Sequence, residues 1–416
     1  MKRSILAFAL VLCGLAHDWF VAPKHAQSLA YEFTLIADTS GSFGPFTGLG
    51  SMPTINNAGT VAFMAGGGGV IRFLTGSGGS ITTIADSTGP ISTFTGPVAV
   101  INDSGTVAFF ATLDTGVRGI FAGTGGSLTT IADSSGAFGT GFGFTPSINN
   151  AGTVAFSATL DAGGQGIFTG SGGATNTIAT VSGPLILGPL LSDPAINDDG
   201  TVAFRARLGT SPLFTFTIFT GDGGALTTIA TTESGGGFTI LGSPPAINDS
   251  GTVAFRGSNP LGGIFTGAGG PITTIADSSG PLNIVLANHN VAINDLGEVV
   301  FLANLDAGGD CILTGPDVVN DKVICQGDAL FGSTIGHPTF PFLTTGNLGF
   351  FRDGLNDSGE LAFWARLTDG RQVIVRATPV GAVPEPATVL LVGSGLIGLL
   401  GFSRTRLIEK NYNKCP

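Results

Sequence analysis

Ile101-Asn102-Asp103-Ser104-Gly105-Thr106-Val107-Ala108-Phe109 is the stretch on which the fold turns, because close copies of it recur along the chain. The others are INNAGTVAF from Ile55 and from Ile148, INDDGTVAF from Ile196, INDSGTVAF from Ile247, INDLGEVVF from Ile293 and LNDSGELAF from Leu355. Successive starts lie 46, 47, 48, 51, 46 and 62 residues apart, the period of a four-stranded propeller blade or a large solenoid turn. Each copy carries an Asn and a Gly three residues later: Asn56 and Gly59, Asn102 and Gly105, Asn149 and Gly152, Asn197 and Gly200, Asn248 and Gly251, Asn294 and Gly297, Asn356 and Gly359. These are turn residues, expected to be structural: an Asn side chain bonds the backbone two residues on, and Gly supplies positive φ.

Working outward from the second copy, one period reads as four short strands. They are Val98 to Ile101, Thr106 to Leu113, Gly119 to Ala122 and Leu128 to Ala132, separated by Gly-rich hairpin turns. In the second of these, Val107, Phe109 and Ala111 point to one face and Ala108, Phe110 and Thr112 to the other, with no charge on either. Both faces are therefore expected to be buried, a Val/Phe face against the Ala/Thr face of the next blade. The ends separate the two architectures. FTLIADTSG from Phe33 matches the fourth strand of a period (LTTIADSSG from Leu128), and Gly370 to Arg376 matches a third strand with no fourth after it. The two fragments complete one blade if the N-terminal strand joins the C-terminal one, whereas an open solenoid needs caps over exposed edges. The expected fold is all-β, a seven-bladed β-propeller of four-stranded antiparallel blades over 31–377, its ring closed by the N-terminal strand.

Between Tyr31 and Val383 there are 25 acidic and 10 basic residues, a net charge of about −15. No nucleic-acid partner is expected, since that binding rests on a basic patch. Residues 1–30 read as a signal peptide, with Lys2 and Arg3, an apolar run from Ile5 to Ala16, and a cleavage site at Ser28-Leu29-Ala30. Leu12 is too bulky for a lipobox before Cys13. In an exported chain the remaining pair within the domain, Cys311 and Cys325, is a candidate disulfide.

Beyond the repeats, 378–386 reads as a linker containing Pro384-Glu385-Pro386, 387–403 as an uncharged membrane helix, and 404–416 as a basic tail facing the cytoplasm. VPEPATVLLVGSGLIGLLGFSRTR resembles the PEP-CTERM sorting signal of Gram-negative bacteria, and the repeat phrase resembles that of PEP-CTERM-associated tandem-repeat proteins with the Asn-x-x-Gly-x-x-Ala-Phe unit. The resemblance implies recognition of Pro384, Glu385 and Pro386, with Arg404 and Arg406 closing the signal, by an exosortase-type processing enzyme. It also implies transient anchoring in the inner membrane before release to the cell surface. One departure is that Leu407 to Pro416 continues past the basic cluster.

Little in the domain reads as chemistry. His289 and His337 with the two cysteines lack the short ligand spacing of a zinc site, and Asp198-Asp199 lacks the D-x-D-x-D-G spacing of a calcium loop. Loops such as Gly76-Ser77-Gly78-Gly79 lead into strands, not into the helix a phosphate cradle requires. No catalytic residue, metal or cofactor is expected, and the protein reads as a monomeric, non-enzymatic surface scaffold contacting extracellular polysaccharide or the envelope. The alternatives are a structural spacer and a glycan-acting enzyme, whose best carboxylates would be Glu233, Glu298 and Asp353. Any specificity is expected in departures from the repeat: Pro184 to Pro194, Pro212 to Phe216 and Asp328 to Phe351.

Overall fold

The computed structural model describes residues 30–180, 193–209, 214–242, 244–284, 291–337 and 346–380, together with the backbone of Leu185 and Ile186. The export segment, the sorting tail with Pro384, Glu385, Pro386, Arg404 and Arg406, His289, and much of the three departures lie outside these residues. Among the described residues there is no helix; the chain forms seven antiparallel blades in a ring, a seven-bladed β-propeller, plus one short hairpin at 329–334. We number the blades by the order of their Asn turns, from blade 1 (48–86) to blade 7 (348–380).

Blade 2 shows the common plan. Its second strand, Val107–Leu113, pairs with the third, Arg118–Gly123, which pairs with the outer strand, Thr129–Asp133. The inner strand differs from the single run Val98 to Ile101: it comes as two pieces, Ile91–Phe94 and Val100–Ile101, each paired with a different half of the second strand. Pro97 lies between them and has no N–H to offer a ladder, so pairing is interrupted there.

The outer strand carries a second irregularity. In blades 1 to 6 the pairing of third and outer strands slips by one residue midway, at Ile120/Phe121 in blade 2. This bulge explains why the Thr-Thr-Ile-Ala phrase buries two consecutive residues, Ile131 and Ala132, behind two exposed threonines.

Blades bury each other as the alternation requires. Val154, Phe156 and Ala158 of blade 3 pack with Ala108 and Phe110 of blade 2, and Val202, Phe204 and Ala206 of blade 4 with Ala155 of blade 3. Last comes Ala362 and Trp364 of blade 7 with Val61, Phe63 and Ala65 of blade 1. Each fully buried Phe contributes about 2 to 3 kcal/mol, so the stabilising term is distributed around the ring rather than gathered in a central core.

Closure is by hydrogen bonding between the chain's two ends. The N-terminal strand Ala30–Asp38 is the outer neighbour of Gln372–Val380 in blade 7, and beyond the strand end Thr39 N–H donates to Gln372 O at 3.1 Å. Toward blade 1, Leu49 N–H donates to Gln372 Oε1 at 3.0 Å and Arg376 Nη1 to Gly59 O at 2.9 Å. The last strand runs to Val380, three residues into the stretch read as linker, and Ala30, read as the last signal residue, opens the first strand.

Candidate functional site

The Asn turns sit together on one rim of the ring. All seven glycines adopt φ between +73° and +83°, a region an L side chain rarely enters. The asparagines bond differently from the expectation: the N–H two residues on donates to the side chain only at Asn356, from Ser358 at 3.1 Å. In all seven blades, as in Asn102, the side-chain oxygen accepts the N–H four residues on, here Thr106 at 3.0 Å, while Nδ2 donates to the carbonyl of the next blade's Asn. Those donations run Asn56 to Asn102, Asn102 to Asn149, Asn149 to Asn197, Asn197 to Asn248, Asn248 to Asn294, Asn294 to Asn356 and Asn356 back to Asn56, at 3.0 to 3.1 Å. Every amide is buried.

A second ring lies outside the first and was not singled out from sequence. The residue after each Asn is Asn57, Asp103, Asn150, Asp198, Asp249, Asp295 or Asp357, and each accepts on Oδ1 the backbone N–H of its counterpart in the preceding blade, at 2.7 to 2.9 Å. Its signal was present: that position is Asn or Asp in all seven copies. Asn57 Nδ2 donates to Asp103 and Asp357, and Asn150 Nδ2 to Asp103 and Asp198, so amides neutralise part of the repulsion. No amide stands between Asp249 and Asp295. Burial, with the adjoining Asp357 and Asp249 carboxylates, pushes the Asp295 carboxyl up to about 6.

Within the rings is a well of about 140 Å³ reached by Arg352. This side chain crosses the channel: Nη2 donates to Pro146 O at 3.2 Å and to Pro194 O at 2.7 Å, in blades 3 and 4. Its guanidinium lies 4.4 Å from the Phe351 ring and 3.6 Å from Asp353 Oδ2. Burial draws it below its ordinary value, opposed by Asp353 and Asp193. No repeat position announces Arg352, since its counterpart in blade 1 is Met52 and in blade 2 Val98.

The other candidate residues are dispersed. Glu298 belongs to the Asn-turn rim, where Oε2 accepts from Asn294 Nδ2 at 2.7 Å, and Asp353 lies beside Arg352. Glu233 is exposed in the turn after the outer strand Thr227–Thr231, at the opposite end of the blades. Cys311 and Cys325 face each other across neighbouring strands of blade 6 and form a disulfide, which removes them as zinc ligands. Among the described residues no group of three His, Cys, Asp or Glu side chains could hold a metal ion.

On the opposite side of the ring is a larger cavity of about 960 Å³. Blades 1 and 7 supply most of its wall, including Leu49, Met52, Met64, Phe350, Trp364 and Arg366, with Pro97 and Pro244 from blades 2 and 5. Among the described residues Arg366 is the single charged one in that lining.

Residues 36–188 and 179–318 match a family of unknown function, DUF7453, and residues 382–406 match the PEP-CTERM protein-sorting motif. No curated protein matches the chain. Similar solved structures include prolyl oligopeptidase B from Galerina marginata, at 11% identity and TM-score 0.46 over 79% of this chain and 52% of that one. They also include a fucose-specific lectin from Aleuria aurantia, at 11% identity and TM-score 0.35 over 64% and 91%. The N-terminal domain of Nup159 aligns at 10% identity and TM-score 0.41 over 85% and 96%. The chain thus spans about half the length of the oligopeptidase.

Proposed function

Because the chain belongs to the DUF7453 family of unknown function and ends its last strand just before a PEP-CTERM motif, we propose that it is a non-catalytic scaffold displayed outside the cell. The motif marks export and sorting to the cell surface, and such signals are in general exosortase substrates. On this reading the propeller contacts extracellular polysaccharide or the envelope as a monomer, after an inner-membrane intermediate processed at Pro384-Glu385-Pro386.

The observation that carries the reading is how the acidic rim is used. All seven Asn/Asp side chains of the outer ring accept backbone N–H groups, which is how carboxylates hold a scaffold together rather than how a pair flanks a scissile bond. Glu233 also stands at the other end of the blades from Glu298 and Asp353, against their acting as one constellation.

A glycan array probed with the full chain in lipid nanodiscs, followed by product analysis of each bound glycan, tests the proposal. Binding without turnover supports it, and turnover favours a hydrolase or lyase. Loss of surface display on intact cells when the Pro384-Glu385-Pro386 motif is replaced by alanines tests the sorting step; unchanged display would remove that part.

A further inference from the structure

The large cavity opens where the repeat is broken. At the sixth position of the second strand the other blades carry Thr112, Thr159, Arg207, Ser258, Asn304 and Arg366, whereas blade 1 has Gly66. Gly66 pairs with another glycine, Gly48, on the inner strand. A Cβ built on either meets nothing within 4 Å, and neither backbone is in the left-handed region, so these glycines are not required by a turn. They leave room. Elsewhere in the channel a missing side chain is enforced by contact: a Cβ on Gly96 or Gly349 would collide with the backbone of Phe144 or Ser51.

The lining of that room has a definite chemistry. Met52, Met64, Phe350 and Trp364 make it largely apolar, and its one charge among the described residues is the Arg366 guanidinium. That group lies 5.6 Å from the Trp364 ring and has no hydrogen bond or ion pair to another described residue. What sets Arg366 apart is its position on a cavity wall in a domain of net charge about −15, since several other arginines also make no ion pair to a described residue. A volume of about 960 Å³ falls in the range of small-molecule sites, which are apolar with a few polar groups that fix orientation.

We infer that this cavity is a binding site for a small amphipathic monoanion, an aromatic or aliphatic carboxylate whose apolar body fills the space left by Gly48 and Gly66 and whose anionic group pairs with Arg366. The inference goes beyond the scaffold reading and does not depend on it, because it concerns a different face of the ring from the Asn/Asp rim.

The test is calorimetric titration of the full chain in lipid nanodiscs with 1-naphthoate, empty nanodiscs serving as the blank and 1-naphthylmethylamine as the cationic counterpart. One saturable site for naphthoate and none for the amine is expected. Arg366→Gln should weaken it by about tenfold or more, the loss of one charge-assisted pair, while Arg366→Lys retains part of the affinity. Gly66→Leu should weaken binding at least tenfold by occupying the space beside Gly48, with the thermal midpoint unchanged. Absence of binding, equal binding of amine and naphthoate, or indifference to both Arg366→Gln and Gly66→Leu would overturn the assignment. None of these outcomes bears on whether the propeller contacts glycans.

Discussion

Asn248 shows why a turn residue here is more than a turn residue. It is 4% exposed, its Oδ1 accepts Thr252 N–H at 2.9 Å and its Nδ2 donates to Asn294 O at 3.0 Å. Asn248→Ala leaves the Thr252 N–H without a partner and removes one of the two donors to Asn294 O, whose bond from Gly297 N–H remains, and should cost about 1 to 3 kcal/mol in chemical denaturation. Asn248→Asp is the sharper test: it keeps the turn acceptor but sets an oxygen against the Asn294 carbonyl, and should be at least as damaging. A turn that only needed local capping would tolerate it. The neighbouring acids have a pH signature. The folded-state value of Asp295 is raised to about 6, above the usual carboxyl value, so its contribution is fully present in acid and is lost as pH rises through about 6. Asp295→Asn, the residue type already used at Asn57 and Asn150, should raise the thermal midpoint at pH 8 and leave it unchanged at pH 4. Equal effects at both pH values would refute this.

At the scale of the blade, the pattern of faces was legible from alternation alone: the Val/Phe face of each second strand does meet the small face of its neighbour. The irregularities were less legible. The outer-strand bulge leaves a trace, two consecutive apolar residues after two threonines, but period-two reading assigns one of them to solvent. The split inner strand follows from proline, yet where pairing resumes depends on the second strand beside it. The disulfide also belongs here, because Cys311 and Cys325 are brought opposite by strand register, with Cα atoms 4.1 Å apart and a separation of 14 positions in sequence. Reduction, or Cys325→Ser, should lower stability by about 3 kcal/mol through the entropy of the opened loop, measured as a shift of the denaturation midpoint. The thiol reagent should leave the Cys325→Ser variant unchanged.

For the whole molecule the critical contact joins residues more than 330 apart, Thr39 and Gln372. Without residues 30–38 the edge of Gln372–Val380 is bare and blade 7 lacks its outer strand. The truncated protein should form a larger assembly than the intact chain in size-exclusion chromatography, pairing through that edge, and a synthetic peptide of residues 30–38 should restore the intact chain's elution. A truncated chain with the same elution and an unchanged midpoint would show that closure adds little. Sequence alone determined the number of blades, the three outer strands of each, and the need for the two ends to meet, since these follow from counting repeats and from complementary fragments at the termini. What only the tertiary structure decided is everything made by residues from different blades: the two hydrogen-bonded rings, Arg352 across the channel, and the cavity beside Gly66. The reason is physical. Periodicity records what each blade demands of itself, whereas a ring places seven separated segments around one axis, and distances across that axis are written in no single segment.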